Sequence, residues 1–114
     1  MTDLPQISVK DLDALLQSEP DVQLIDVREP EELAIAHLAP LGFQNYPLSA
    51  YETWSASILR DLDPQRPTYV LCHHGLRSAQ MTQWLLQQGF AQVSNIEGGI
   101  AAWSQAIDSS VPQY

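Results

Sequence analysis

The residues best suited to chemistry stand together in Cys72-His73-His74-Gly75-Leu76-Arg77-Ser78, directly after the apolar run Val70-Leu71. Cys72 is the only cysteine in the chain. A helix that begins at the end of such a loop presents unpaired backbone N–H groups and the positive end of its dipole, so an anion on Cys72 would be stabilised there. A thiolate held in this way is a nucleophile. Gly75 permits a tight chain path and Arg77 adds a fixed positive charge, which together predict an anion-binding nest around the sulfur. Any group taken up by Cys72 would have to be removed by an external nucleophile, because no second thiol exists in the chain to attack it.

Each of these residues also has a structural reading. A lone cysteine at a strand end often serves as a small buried hydrophobe, and it is the loop around Cys72 that favours a nucleophile. His73 and His74 are adjacent and have one cysteine for company, too few ligands for a tetrahedral zinc site, so no metal is expected and they are assigned to loop polarity. Asp26 and Arg28, at the end of a second apolar run, read as a polar pair that fixes loop backbone. Trp54, Trp84 and Trp103 read as packing residues.

These groups must be positioned by elements that the sequence also marks. Ser8 is a helix N-cap, followed by Val9, Leu12, Leu15 and Leu16 near helical spacing, which predicts a helix from about Val9 to Gln17 ended by Pro20-Asp21. Val22–Val27 reads as a buried strand that leaves Asp26 and Arg28 at its C-terminal end. Pro30 among Glu29, Glu31 and Glu32 signals a short helix to about Ala36. A brief strand is expected over Phe43–Tyr46. Ser49-Ala50-Tyr51-Glu52 has the form of a capping box, predicting a helix over about Ala50–Arg60. Asp61–Pro67 is turn chemistry, and Thr68–Leu71 is a strand that delivers Cys72 to its end. A helix from Ser78 to Gln88 ends at Gly89, Val93–Ile96 is a last strand, and Gly98-Gly99 turns into a helix of about Ile100–Ala106 before a frayed tail. Strands alternating with helices imply right-handed βαβ units and a largely parallel sheet covered on both faces. Ligands of such sheets bind beyond the carboxyl ends of the strands, where Asp26, Arg28 and Cys72 all fall.

Composition narrows the partners. The 114 residues are 45% hydrophobic, enough for one domain with a core, here residues 1–114. Fourteen acidic residues against five basic ones give a formal charge of −9, which disfavours nucleic acid and anionic membranes as partners. Met1–Pro5 lacks the basic and apolar regions of a secretory signal, and the unpaired cysteine suits a reducing cytoplasm.

Three stretches together resemble the signature of single-domain rhodaneses, the thiosulfate sulfurtransferase family. They are Asp26-Val27-Arg28-Glu29, the Cys72–Ser78 loop, and Glu97-Gly98-Gly99-Ile100-Ala101-Ala102-Trp103, in order over roughly Ile7–Trp103. The resemblance implies an α/β fold with a five-stranded, mainly parallel sheet flanked by helices on both faces. It also implies that Cys72 carries sulfur as a persulfide, cradled by the loop through Arg77. A small-molecule sulfur donor such as thiosulfate and a thiol or cyanide acceptor would be the partners, with a protein as an alternative donor or acceptor, and no cofactor is needed. The chain departs from the family over residues 36–48, where the usual His-x-Pro-Gly-Ala turn lacks its Pro-Gly pair.

Two rivals differ in class. Cysteine-dependent phosphatases and arsenate reductases use a Cys-x5-Arg loop, whereas four residues separate Cys72 from Arg77 and Ser78 holds the phosphatase arginine position. A non-catalytic docking module could share the fold, since fold alone does not give function, but the intact Cys, Gly and Arg argue against it.

Overall fold

The computed structural model describes residues 4–19 and 21–114. Five strands form one sheet: β1 (Gln6–Ile7), β2 (Gln23–Asp26), β3 (Gln44–Asn45), β4 (Thr68–Leu71) and β5 (Val93–Ile96). Their order is β1-β5-β4-β2-β3, and every neighbouring pair is parallel. Six α-helices connect and cover them: α1 (Val9–Ser18), α2 (Pro30–Ile35), α3 (Tyr51–Trp54), α4 (Ile58–Asp61), α5 (Leu76–Gln87) and α6 (Gly99–Ala106). The expected five-stranded parallel α/β architecture is therefore present.

The sheet is buried on both sides, and the alternation of the pleat decides which side chain goes where. Leu24, Tyr69, Leu71 and Ile96 join one core cluster with Leu12 of α1 and Ile100 and Trp103 of α6. Ile25, Val27, Val70 and Val93 join the other, with Trp54, Ile58, Met81 and Leu85 from α3, α4 and α5. Residue 72 continues the alternation one step past β4, so Cys72 falls in the second cluster, on the side covered by α5. Each fully buried Leu or Ile in these layers contributes about 1.5–3 kcal/mol relative to exposure.

Local expectations fare unevenly. Ser8 caps α1 by accepting the Asp11 N–H at 3.1 Å, as its position predicts. Pro20, read as the break after this helix, and Met1–Asp3 lie outside the described residues. The strand that the sequence did not mark is β1, Gln6–Ile7, which aligns with Asn95–Ile96 of β5 and is too short to show periodicity. The continuous helix expected over Ala50–Arg60 is instead a 3₁₀ turn at Leu48–Ala50 followed by α3 and α4, separated by Ser55–Ser57. Ser49 does not cap it: its hydroxyl donates to the Glu29 carboxylate, and Ser57 donates to the Trp54 carbonyl at 3.1 Å, so local side-chain bonds compete with the helix. Helix α5 begins at Leu76, two residues before the expected Ser78, because Gly75 takes a left-handed φ of +102° and turns the chain early.

The atypical 36–48 segment has a defined course. A 3₁₀ turn at Ala39–Leu41 ends at Gly42, and Gln44–Asn45 then pairs with Ile25–Asp26 at the sheet edge. The tail is anchored rather than frayed. Val111 is buried in the first core cluster, its carbonyl accepts the Ser104 hydroxyl at 2.6 Å, and Tyr114 is tied to the loop side of the sheet.

Candidate active site

Cys72 lies immediately beyond β4, only 1% exposed. The next turn closes over its sulfur: the Gly75 N–H donates to Sγ at 3.0 Å, and the Ser78 hydroxyl donates to it at 3.2 Å. Among the described residues these two donors reach Sγ, so the nest combines one backbone amide with one side chain, where the sequence suggested several backbone groups with the Arg77 charge beside them. Both stand at the N-terminal end of α5, where the dipole favours negative charge.

The loop is held from behind by the third signature stretch. Gly99 begins α6 against the loop backbone, and a Cβ there would collide with the Cys72 and His73 carbonyls, the latter at 2.5 Å. The first N–H groups of α6 use those same carbonyls: Ile100 donates to Cys72 at 2.9 Å and Ala101 to His73 at 3.1 Å. Helix-end donors that would otherwise be unpaired thereby fix the loop.

Asn95, not singled out by the sequence, braces the other side. It is buried on β5, donates from Nδ2 to the Gly75 carbonyl at 3.0 Å and to Gln6 Oε1 at 3.3 Å, and accepts the Ser78 hydroxyl at Oδ1.

Asp26 and Arg28 form a buried pair. Arg28 Nε lies 3.0 Å from Asp26 Oδ1 and Nη2 lies 2.8 Å from Oδ2, while Asp26 Oδ1 also accepts the Arg28 backbone N–H at 3.0 Å. Asn45 Nδ2 donates to the carbonyls of both residues at 2.9 Å. This geometry fixes the bend after β2; neither side chain bonds to Cys72.

Arg77 does not stand free beside the sulfur. Its Nη1 and Nη2 donate to Glu32 Oε1 and Oε2 at 2.5 and 2.8 Å. Glu32 also accepts the Tyr114 hydroxyl at 2.8 Å and the Glu29 N–H at 3.1 Å. Chiefly because of Arg77, its carboxyl is held at a pKa of about 2. Arg28 Nη1 in turn donates to the Tyr114 hydroxyl at 2.9 Å. One hydrogen-bonded chain thus runs Asp26–Arg28–Tyr114–Glu32–Arg77, balanced in formal charge.

His73 and His74 stack with centroids 3.8 Å apart, and Tyr114 covers the other face of His73 at 3.8 Å and 5°. Burial pushes the His73 pKa down, and its Nε2 is enclosed without a partner among the described residues. Leu76, by contrast, is 80% exposed at the rim. Glu32 and Tyr114 were missed because the sequence presents one as a helix-start acid and the other as tail. For Tyr114 the available signal was the apolar Val111 three residues earlier; for Glu32 there was none.

The rhodanese-like domain family model matches residues 8–106, a span that contains all three stretches. The chain belongs to the rhodanese-like domain family. It is 45% identical over 111 residues to the Arabidopsis thaliana rhodanese-like/PpiC domain-containing protein 12, chloroplastic, a match covering 95% of this chain and 36% of that protein. The chain thus spans about a third of that relative's length. The solved rhodanese-related protein of Thermoplasma volcanium is 30% identical, covers 95% of each chain and superposes with a TM-score of 0.72. A human single-domain sulfurtransferase shares the fold at a TM-score of 0.74 and 24% identity, over 91% of this rhodanese-like chain and 98% of its own.

Proposed function

We propose that this rhodanese-like domain is a sulfurtransferase that moves sulfane sulfur through a Cys72 persulfide. The observation that supports this reading best is the pair of donors on Cys72 Sγ, Gly75 N–H and Ser78 Oγ, at 3.0 and 3.2 Å. They stabilise negative charge on the sulfur that attacks and on the persulfide that results. In the loading step the Cys72 thiolate attacks the outer sulfur of a donor; a new S–S bond forms, the donor's S–S bond breaks, and the electron pair leaves with the inner group. With thiosulfate that group is sulfite; with a persulfide R–S–SH it is the thiolate R–S⁻. In the second step a thiophile, cyanide or an external thiol, removes the outer sulfur and regenerates the thiolate. A reducing compartment such as the cytoplasm suits a lone catalytic thiol.

Intact-mass measurement tests the reading. After incubation with thiosulfate or glutathione persulfide and desalting, the chain should gain one sulfur atom and lose it on adding cyanide, with thiocyanate released. Cys72→Ala should show neither adduct nor product. Wild-type protein that loads from neither donor would leave the fold as a docking module.

A further inference from the structure

One buried side chain touches both groups that donate to the Cys72 sulfur. Asn95 gives its Nδ2 hydrogens to the Gly75 carbonyl at 3.0 Å and to Gln6 Oε1 at 3.3 Å, and its Oδ1 takes the Ser78 hydroxyl. The amide stands only this way round: a backbone carbonyl accepts and never donates, so Nδ2 must face Gly75 and Oδ1 must face Ser78. Gly75 and Ser78 are in turn the two donors to Sγ, at 3.0 and 3.2 Å. Among the described residues Oδ1 has no donor but Ser78, and Ser78, itself fully buried, has one proton for two acceptors. While the sulfur is a thiol it accepts weakly, and the proton belongs on the amide oxygen. When the sulfur attacks it carries negative charge, and the proton can serve it only by leaving Oδ1 buried and unpaired.

Resting on the sulfurtransferase reading, we infer that Asn95 is a positioning residue for Cys72: acting through Ser78, it withholds the Ser78 proton from the sulfur and so tempers the nucleophile. Its other arm braces Gly75, so one amide sets the place of both donors and the strength of one. No bond is made or broken at Asn95 or Ser78. The hydroxyl only turns, and loading exchanges one S–S bond for another at sulfur, with the electron pair leaving on the donor's inner group.

A double-variant cycle tests this. The rate at which iodoacetamide modifies Cys72 is measured at one pH in wild type, Asn95→Leu, Ser78→Ala and their combination, each confirmed as folded by circular dichroism. Loss of the brace on Gly75 and any loosening of the loop are common to both proteins that carry Asn95→Leu, and they cancel in the comparison. What remains is the part of Asn95 that passes through Ser78. The factor by which Asn95→Leu changes the rate should be about tenfold higher with Ser78 present than in Ser78→Ala, the size expected for one buried acceptor no longer left unpaired. Equal factors would make Asn95 a structural brace alone, and a lower factor with Ser78 present would mean that Asn95 assists the hydroxyl; either result overturns the inference. Asn95→Ala, which leaves room for a water at the Gly75 carbonyl, runs the same cycle where the leucine variant does not fold. Single-turnover loading from glutathione persulfide, followed through the same four proteins, should give a ratio of the same sign. If no donor loads wild type, sulfur transfer itself falls, and the alkylation cycle still decides the role of Asn95.

Discussion

The Ser78 hydroxyl lies 3.2 Å from Cys72 Sγ and also within hydrogen-bonding contact of Asn95 Oδ1, yet it has one proton to serve both. When Cys72 is a thiol, its S–H can point to Ser78 Oγ while Ser78 donates to Asn95, and every group is satisfied. When Cys72 is a thiolate, the Ser78 proton is drawn to the sulfur and Asn95 Oδ1 loses its partner. Ser78 therefore couples the state of the nucleophile to a buried amide that is otherwise fixed by Gly75 and Gln6.

Ser78→Ala should slow single-turnover loading of Cys72 by roughly tenfold to a hundredfold, the worth of a hydrogen bond to a charged acceptor. It should also lower stability by about 1–3 kcal/mol, because Asn95 Oδ1 is left buried without a donor. Thermal unfolding and rapid-quench mass analysis read the two effects independently. A variant that loads at the wild-type rate would remove Ser78 from the chemistry.

Gly99→Ala probes the support behind the loop. The added methyl meets the Cys72 and His73 carbonyls, so either α6 or the loop must shift, at a cost of about 1–3 kcal/mol. Since a misplacement of about 1 Å can cost on the order of a hundredfold, loading should fall by at least tenfold even at temperatures where the variant is fully folded. Wild-type loading in the folded variant would show that the loop does not depend on this contact.

How much of this was legible in the sequence follows from the range of the interactions. Cys72, Gly75 and the β4-to-α5 junction could be read locally, because an apolar run, a glycine and a helix-forming segment follow one another directly. The partners of the loop could not: Asn95 reaches Ser78 across 17 residues, Glu32 reaches Arg77 across 45, and Tyr114 reaches Arg28 across 86. No periodicity encodes such pairings. The same limit explains Ser49, which satisfies a local capping pattern but bonds to Glu29, 20 residues away. The sequence shows a cation in the cysteine loop; that this cation is matched by a carboxylate is a tertiary fact.

The Glu32–Arg77 pair should leave a mark on acid stability. The Glu32 pKa falls from an ordinary 4.5 to about 2 on folding, chiefly through Arg77. A depressed carboxyl contributes stability that is fully present above its unfolded pKa and is lost as pH falls through the folded value, here between about pH 4.5 and 2. Allowing for screening of a pair with 36% and 19% side-chain exposure, the contribution is on the order of 1–2 kcal/mol. The difference in unfolding free energy between wild type and Glu32→Gln should be constant from pH 7 to about 5 and shrink toward zero near pH 2. A difference that persisted unchanged at pH 2 would refute the assignment of the shift to this pair.

Tyr114 can be separated into its hydroxyl and its ring. Tyr114→Phe removes the bridge between Arg28 Nη1 and Glu32 Oε2 but keeps an aromatic face for His73, whereas Tyr114→Ala removes both. Each should lose stability, the phenylalanine variant by about 1–2 kcal/mol for two charge-assisted bonds at a partly buried hydroxyl. The His73 ring distinguishes them. Its pKa is lowered first by burial, so opening its covered face should raise the titration midpoint toward the ordinary value of about 6.5, and a flat aromatic replacement should not. Titration of the His73 ring by NMR should therefore give a midpoint in Tyr114→Ala above that of wild type, with Tyr114→Phe close to wild type. If Tyr114→Ala leaves the His73 midpoint where it was, the tail does not cover that ring in solution, and the clamp on Glu32 loses one of its two anchors.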